Sequence, residues 1–222
     1  MGRKTAAYTG PFLVFILFLG VSGLLDWAHV TPGGVKPIYL VFPLQTLACA
    51  GVLAWFWRDY KMAAPRQAWL AAAIGLLVLA LWLSPQLLFH RPPRLDGFNP
   101  GVFAGRPALY WTELVMRFLR LAIVVPLLEE IFWRGFLLRY VINEHFDTVP
   151  FGAYTFRSNL FVAIAFMLEH STPDWPAAIA AGLLYNFVAY RTKSLSSCAL
   201  AHGLTNALLG AFIMATHQWG FW

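Results

Sequence analysis

The sequence predicts an all-α fold, a polytopic membrane helical bundle of about seven transmembrane helices around an intramembrane polar cavity. Three observations support this prediction. Of the 222 residues, 59% are hydrophobic and 12% are charged, about half the charged fraction of a soluble domain. Seven apolar runs are interpreted as membrane spans, since about 20 apolar residues cross the ~30 Å hydrocarbon core of a bilayer; the fourth run is longer than this, and the fifth and sixth are shorter. Ionisable side chains interrupt some of these runs, where their burial is costly.

The predicted spans follow one another along the chain. They cover residues 11–28, 37–57, 67–88, 108–141, 157–171, 175–191 and 196–217. The fourth run is too long for a simple span, and we expect Pro126 to kink it, because proline removes a backbone hydrogen bond and clashes with the preceding turn. A tight turn at 171–174 makes the fifth and sixth spans a helical hairpin. The Pro- and Gly-rich stretch 89–107 is interpreted as a connecting loop rather than a lid.

We expect one integrated membrane domain in two parts. Residues 1–107 hold the N-terminal transmembrane helices and the connecting loop, and residues 108–222 hold a helical core with most of the buried polar groups. The apolar run after Arg3 and Lys4 has no small-x-small cleavage site, so an uncleaved signal anchor is expected. Cys49 and Cys198 lie in apolar stretches without the spacing of a disulfide framework or a metal site.

Lys and Arg are unevenly divided between alternate connections. One set holds Arg3, Lys4, Arg58, Lys61, Arg66, Arg139, Arg157, Arg191 and Lys193, and the other holds Lys36, Arg91, Arg94 and Arg106. By the positive-inside rule the larger set is cytoplasmic, which places the N-terminus in the cytoplasm and the C-terminus in the periplasm. The same residues account for the net charge of +6, so the bilayer is the expected partner and no nucleic acid is expected.

Two adjacent glutamates, Glu129 and Glu130, lie inside the apolar run RFLRLAIVVPLLEEIFWRGFLL. A charge at the centre of a spanning helix costs at least ~2.5–3.5 kcal/mol on insertion scales, so this pair is a functional-site candidate. Arg134 follows Glu130 by four residues, lies on the same helix face and is expected to pair with it. Two further runs carry polar groups, Glu169 with His170 in FMLEHS, and HGLTN at 202–206.

The helical rise places these groups at one depth. At ~1.5 Å per residue from the nearest cytoplasmic basic residue, Glu130 and His202 lie about 14 Å deep and His170 about 20 Å. All three fall near the middle of a ~30 Å core. His202 and Asn206 are four residues apart and share a helix face, as do Phe166 and His170. Each group alone is more simply a structural or packing residue, but together they predict one polar cavity.

The chemistry of these groups suits hydrolysis. Burial favours the neutral form of a carboxyl group, so a buried glutamate can act as a base near neutral pH, and a nearby histidine can orient the same water. Asn and His donors can stabilise an oxyanion. Ser171 and Cys198 lack the base and orienting group that a nucleophile requires. Zinc bound by Glu129, His170 and His202 stays open, but no H-E-x-x-H pair is present, so a site without cofactor is favoured.

Three motifs in order resemble those of the CAAX protease and bacteriocin-processing family of intramembrane endopeptidases. EEIFWR at 129–134 resembles the family's E-E-x-x-x-R motif, FMLEH at 166–170 its F-x-x-x-H motif, and HGLTN at 202–206 its H-x-x-x-N/D motif. The resemblance covers roughly residues 110–217 and makes 108–222 the catalytic core. It implies an eight-helix-like bundle, here shorter, with a cavity open to the cytoplasmic side.

The resemblance also implies roles for the site residues. Glu129 is the base that activates water with help from His170, and Glu130 supports the site. His202 and Asn206 form the oxyanion pocket. Two further residues, Arg134 and Phe166, give structural support. The implied substrate is a membrane-associated protein or peptide, and nothing in the sequence indicates a prenylated one.

The second half of the chain, with its YRTKSL turn and terminal WGFW, resembles a narrower group. That group comprises the CAAX-protease-related proteins found beside exosortase systems in Gram-negative bacteria, which implies the cell inner membrane. Two alternatives stay open: a non-catalytic membrane scaffold or immunity-type protein with the same fold, and a zinc-dependent protease. A proton-coupled transporter is less favoured, because the paired broken helices of inverted repeats are missing.

Overall fold

A computed structural model describes residues 2–222, which form seven helices and, within that range, no strand. The helices are α1 (Arg3–Trp27), α2 (Ile38–Trp55), α3 (Ala68–Leu87), α4 (from Pro107 to Tyr140), α5 (Phe156–Leu168), α6 (Trp175–Thr192) and α7 (Leu195–Thr216). Each predicted span corresponds to one helix. The predicted all-α class is therefore confirmed.

Four of these helices, α1, α2, α3 and α7, are long and apolar enough to cross a membrane, with mean hydropathies of 1.9, 1.7, 2.0 and 1.5. Helix α5 is apolar but shorter. Large apolar side chains remain exposed along the outer faces of the bundle, including Leu17, Leu24, Leu47 and Leu76. Such a continuous apolar exterior is unusual for a soluble protein and suits contact with lipid.

The backbone hydrogen-bond pattern of helix α4 changes twice from α-helical to π-helical. It consists of the α-helical segments Pro107–Leu119, Val125–Glu130 and Leu138–Tyr140, separated by the π-helical segments Arg120–Val124 and Ile131–Leu137. In the first π segment the N–H of Val125 donates to the carbonyl of Arg120. The next π-type donor in line, for the carbonyl of Leu121, would be Pro126, whose nitrogen carries no hydrogen. The disturbance expected at Pro126 therefore takes the form of a π turn that frees a carbonyl.

Helix α7 packs on this irregular part of α4. Asn206 Nδ2 donates to the freed Leu121 carbonyl at 3.0 Å. One turn earlier, a Cβ on Gly203 would lie 2.7 Å from the Ala122 carbonyl oxygen, so only glycine allows the two backbones to approach this closely. The glycine and the amide together hold α7 against the segment of α4 that precedes the two glutamates.

Replacing Gly203 with alanine is expected to destabilise the bundle by about 1–3 kcal/mol, because the added methyl group meets a backbone oxygen that cannot move freely. The shift in the unfolding midpoint of detergent-solubilised protein measures this effect. Gly51→Ala in α2 is the matched control, since a Cβ there meets nothing within 4 Å. Equal midpoints for the two variants would contradict the close contact.

The α5–α6 hairpin differs from its prediction at one end. Helix α5 ends at Leu168, three residues before the predicted boundary, so Glu169 and His170 lie in the connection and not in the helix. A 3₁₀ turn, Thr172–Asp174, follows. Ser171, between α5 and this turn, has extended backbone (φ −66°, ψ 148°) and separates the two helical segments.

Contacts between connections define two ends of the bundle. At the first, which we term the basic end, Arg3 pairs with Asp59 and Lys4 with Asp147, both at 2.9 Å, and the 57–66 connection meets the start of α7. At the second, which we term the hairpin end, the 88–106 loop, the α5–α6 turn and the C-terminal turn Trp219–Phe221 meet. All nine basic residues of the larger set belong to the basic end. Its cytoplasmic location stays a prediction.

Candidate active site

The two adjacent glutamates of α4 face different surroundings. Glu130 is fully buried, and its Oε1 accepts a hydrogen bond from Arg134 Nη1 at 3.0 Å and lies 2.9 Å from His202 Nδ1. Glu129 lines a cavity, and its Oε2 lies 3.9 Å from His202 Nε2 without a hydrogen-bond partner among residues 2–222. The imidazole of His202 is therefore held between the two carboxylates.

Arg134 connects Glu130 to helix α6. Its Nε donates to Asn186 Oδ1 and its Nη2 to the Gly182 carbonyl, both at 3.1 Å. The guanidinium also lies 5.0 Å from the centre of the Phe166 ring, within the range of a cation–π contact. Arg134 and Glu130 have no exposed surface, so each charge depends on the other. This pair fixes the carboxylate that faces His202.

The orientation of each histidine follows from its partner. His170 Nδ1 lies 2.8 Å from the Phe166 carbonyl, which can only accept, so Nδ1 carries the hydrogen and Nε2 is free for the cavity. His202 Nδ1 faces a carboxylate oxygen in the same way, which directs Nε2 toward Glu129. The ring of Tyr185 stacks on His202 with centroids 4.9 Å apart. Both imidazoles are thus oriented before any substrate enters.

The residues predicted to be catalytic meet at one cavity, with one exception. The cavity has a volume of about 400 Å³ and is lined by Glu129, His170, His202 and Asn206. Glu130 does not line it and lies behind His202. Asn206 uses one amide hydrogen for the Leu121 carbonyl, which leaves the second available to the cavity.

The cavity extends to the hairpin end of the bundle. Ser171, Asp174 and Gly220 belong to its wall there, and none of the basic residues of the basic end lines it. A larger cavity of about 980 Å³ lies outside it and shares Trp82 and Asp174 with it. The two cavities form a path from the bundle end toward Glu129.

The opening of the cavity at the hairpin end means that two expectations from the sequence cannot both hold. The family resemblance implies a cavity open to the cytoplasmic side, whereas the charge count assigns the hairpin end to the periplasm. The two expectations are incompatible, because the cavity reaches the end opposite to the nine basic residues.

The loop at 88–106 contacts two residues of the cavity wall, Asp174 and Gly220. Arg94 pairs with Asp174 at 2.6 Å, and its carbonyl accepts from Gly220 N–H at 3.0 Å. A Cβ on Gly97 would lie 2.1 Å from the Trp219 carbonyl oxygen, so the loop packs directly on the C-terminal turn. The loop thus contacts the wall of the site and itself lines the larger outer cavity through Phe89, Arg91, Pro92 and Arg94, and its interpretation as a connecting loop stays a prediction.

Sequence reasoning missed three residues of the cavity wall. Glu169 was noticed beside His170 but not chosen, although it lines the cavity and both its carboxylate oxygens are buried without a hydrogen-bond partner among residues 2–222. Arg120 also lines the cavity. Glu169 and Arg120 are both charged residues within apolar runs of the sequence, and this feature could have identified them as candidates. Tyr185 gave no signal, because an aromatic residue in a membrane helix is ordinary.

The donors suggested for zinc do not converge. Within residues 2–222 no group of three or more His, Cys, Asp or Glu side chains is placed to hold a metal ion. Glu129, His170 and His202 share the cavity wall, and the Nδ1 contacts of both histidines leave each Nε2 free toward the cavity. A catalytic zinc needs three protein ligands at about 2 Å, so the site without cofactor stays a prediction that chelation has to test.

The fold and the site together define a class, a helical membrane bundle that encloses carboxylates and imidazoles around a cavity. Residues 110–208 match the family model of the Rce1-like type II CAAX prenyl endopeptidases. That segment contains all three motifs, and the match is consistent with the resemblance to the CAAX protease and bacteriocin-processing family and indicates a CAAX-protease-like enzyme. No curated protein and no solved structure matches the chain. The narrower resemblance to the exosortase-associated group stays a prediction.

Proposed function

We propose that this protein is an intramembrane endopeptidase that hydrolyses a peptide bond of a membrane-associated protein or peptide with water activated by Glu129 and His170. The observation that supports it most directly is the asymmetry of the glutamate pair. Glu130 is neutralised by Arg134, whereas Glu129 faces the cavity with a free oxygen. A carboxylate free of an ion pair can accept a proton, as a general base must.

In the proposed reaction, water attacks the carbonyl carbon of the scissile bond while its proton passes to Glu129. His170 Nε2, which is free of protein partners, orients this water. The tetrahedral oxyanion accepts hydrogen bonds from the second amide hydrogen of Asn206 and from Nε2 of His202 in its protonated form, in which both ring nitrogens carry a hydrogen. The proton on Glu129 then passes to the leaving nitrogen as the C–N bond breaks, giving one new carboxyl terminus and one new amine.

Glu130 and Arg134 act as positioning residues in this proposal. Glu130 Oε1 receives both Arg134 Nη1 and His202 Nδ1, so it fixes the direction of the imidazole. Orientation of a catalytic imidazole by a buried carboxylate is a common arrangement in hydrolases. Because Glu130 does not line the cavity, it does not contact the substrate in this proposal.

The scaffold alternative is less favoured on energetic grounds. The carboxylates of Glu129 and Glu169 both have buried oxygens without hydrogen bonds among residues 2–222. Each such group lowers stability, since a buried charge without a partner costs several kcal/mol (roughly 3–5) relative to a paired one. A protein that only holds a shape gains nothing from two of them in one cavity.

Comparative membrane proteomics tests the proposal in cells that carry the wild-type protein or Glu129→Gln. A precursor that accumulates only with Glu129→Gln is the expected result and identifies the substrate. A Glu113→Gln strain is the control, because Glu113 is a buried glutamate of the same helix that does not line the cavity. Identical membrane proteomes in all three strains, under conditions where the protein is produced, would contradict the proposed activity.

Hydrolysis is expected to survive prolonged treatment with a strong chelator, because the proposed base is a carboxylate and the candidate ligands do not converge. The measurement is the rate of substrate cleavage by purified protein before and after chelation, and again after zinc is added back. A rate lost on chelation and restored by zinc would establish the zinc-dependent alternative instead.

A further inference from the structure

Arg120 is the one Lys or Arg side chain that lines the cavity among the described residues. It is 8% exposed, and its remaining surface is buried in the bundle. No carboxylate within residues 2–222 lies at salt-bridge distance from it. A guanidinium stays charged at any physiological pH, so the cavity holds a permanent positive charge without a paired anion.

The side chain is held in place by a short chain of hydrogen bonds. Arg120 Nε donates to Gln45 Oε1 at 2.8 Å, and Gln45 Nε2 donates to the Phe15 carbonyl at 2.7 Å. Gln45 is buried, and its amide has both of its ends occupied. The aromatic rings of Phe42 and Phe15 lie 4.4 and 5.2 Å from the guanidinium carbon. The plane of the guanidinium is thus fixed without use of its two terminal nitrogens.

The two terminal nitrogens of Arg120, Nη1 and Nη2, form a planar pair of N–H donors, which we term the fork. Nη1 and Nη2 have no hydrogen-bond partner among residues 2–222, and they are not enclosed in the packed interior. A planar fork of two N–H groups matches the two oxygens of a carboxylate. In a cavity of low dielectric constant, such a pair is stronger than the same pair in water.

We propose that Arg120 is a specificity-determining residue that binds a carboxylate of the substrate, either its C-terminal carboxylate or an Asp or Glu side chain near the scissile bond. This proposal rests on the proposed function, since it takes the cavity as the peptide-binding site. Arg120 and Glu129 line the same cavity of about 400 Å³, so one bound segment can place a carboxylate at Arg120 and a peptide bond at Glu129. Gln45 is the residue that positions the fork.

Peptide binding to purified protein in lipid nanodiscs tests this proposal without turnover. The probes are three fluorescent apolar pentapeptides: one with a free C-terminal carboxylate, its C-terminal amide, and the amide with one internal glutamate. At least one carboxylate peptide is expected to bind about 10- to 100-fold more tightly than the amide, as for a charge-assisted hydrogen bond. The peptide with the advantage identifies the source of the carboxylate.

The variants separate recognition from structure. Arg120→Met is expected to abolish the preference, and Arg120→Lys to keep part of it, because a lysine retains the charge without the fork. Arg157→Met, which removes an exposed basic residue, should leave the preference unchanged. A role of Arg120 in folding alone would lower the melting temperature but would not change the ratio of the two affinities.

Equal binding of all three peptides to the wild-type protein, or a preference that survives Arg120→Met, would overturn the proposal. The same peptide titrations with the Glu129→Gln variant measure binding in the absence of hydrolysis, so the test of the carboxylate subsite does not depend on the proposed activity. Carboxylate selectivity that depends on Arg120, together with a wild-type protein that hydrolyses none of its candidate substrates, would support the subsite and reject the peptidase.

Discussion

Purified Glu129→Gln protein is expected to hydrolyse its substrate about 10²- to 10⁴-fold more slowly than the wild-type protein, the contribution of a general base. Glutamine has nearly the same size and shape as glutamate but cannot take the proton from water. The fold should be retained, since Glu129 forms no bond with Arg134 and an amide is easier to bury than an unpaired carboxylate. Single-turnover cleavage rates and melting temperatures, measured on the same preparations, check both parts.

Glu113→Gln is the matched control for this experiment. Glu113 lies on the same helix, is 8% exposed and also has an unpartnered oxygen, but it does not line the cavity. Its substitution should leave the cleavage rate unchanged, whereas His170→Ala and His202→Ala should lower it. Full activity of Glu129→Gln would reject Glu129 as the base.

Arg134→Met is expected to destabilise the protein by about 3–5 kcal/mol, the usual cost of breaking a buried ion pair from one side. The substitution leaves the fully buried Glu130 carboxylate without its counter-charge and removes the bonds to Asn186 and Gly182. Equilibrium unfolding in detergent measures the loss. Arg157→Met, at an exposed position, should change stability by less than about 0.5 kcal/mol.

A second substitution shows whether the loss of stability in Arg134→Met comes from the missing charge or from the missing packing of Arg134. The double variant Glu130→Gln, Arg134→Met removes both charges, so it should be more stable than Arg134→Met alone. This double-mutant cycle isolates the coupling between the two side chains. Additive effects would indicate that Glu130 and Arg134 stabilise the protein independently, against the geometry described above.

Much of the fold was accessible from the sequence. Seven apolar runs gave seven helices, because a bilayer imposes a minimum length and an apolar composition on any spanning helix. The same constraint made Glu129 and Glu130 conspicuous, and helical rise placed His170 and His202 at their depth. Spacing of four residues also identified Arg134 as the partner of Glu130, since both lie on one face of one helix.

The boundaries and the irregular segments were less accessible. Helix α5 ends at Leu168, three residues before the predicted boundary, and the disturbance at Pro126 is a π turn. The freed Leu121 carbonyl then binds Asn206, which sequence reasoning considered only for its role at an oxyanion. This contact joins residues 85 positions apart, and no local pattern encodes it.

The sequence by itself determined the class of fold, the number of helices and the motif residues, because each of these depends on composition and on spacing within one helix. Only the tertiary structure decided which glutamate faces the cavity, that Arg120 and Glu169 share its wall, and toward which end of the bundle it extends. The physical reason is that helical periodicity assigns a residue to a face of its own helix. Which neighbour covers that face depends on the packing of all seven helices together.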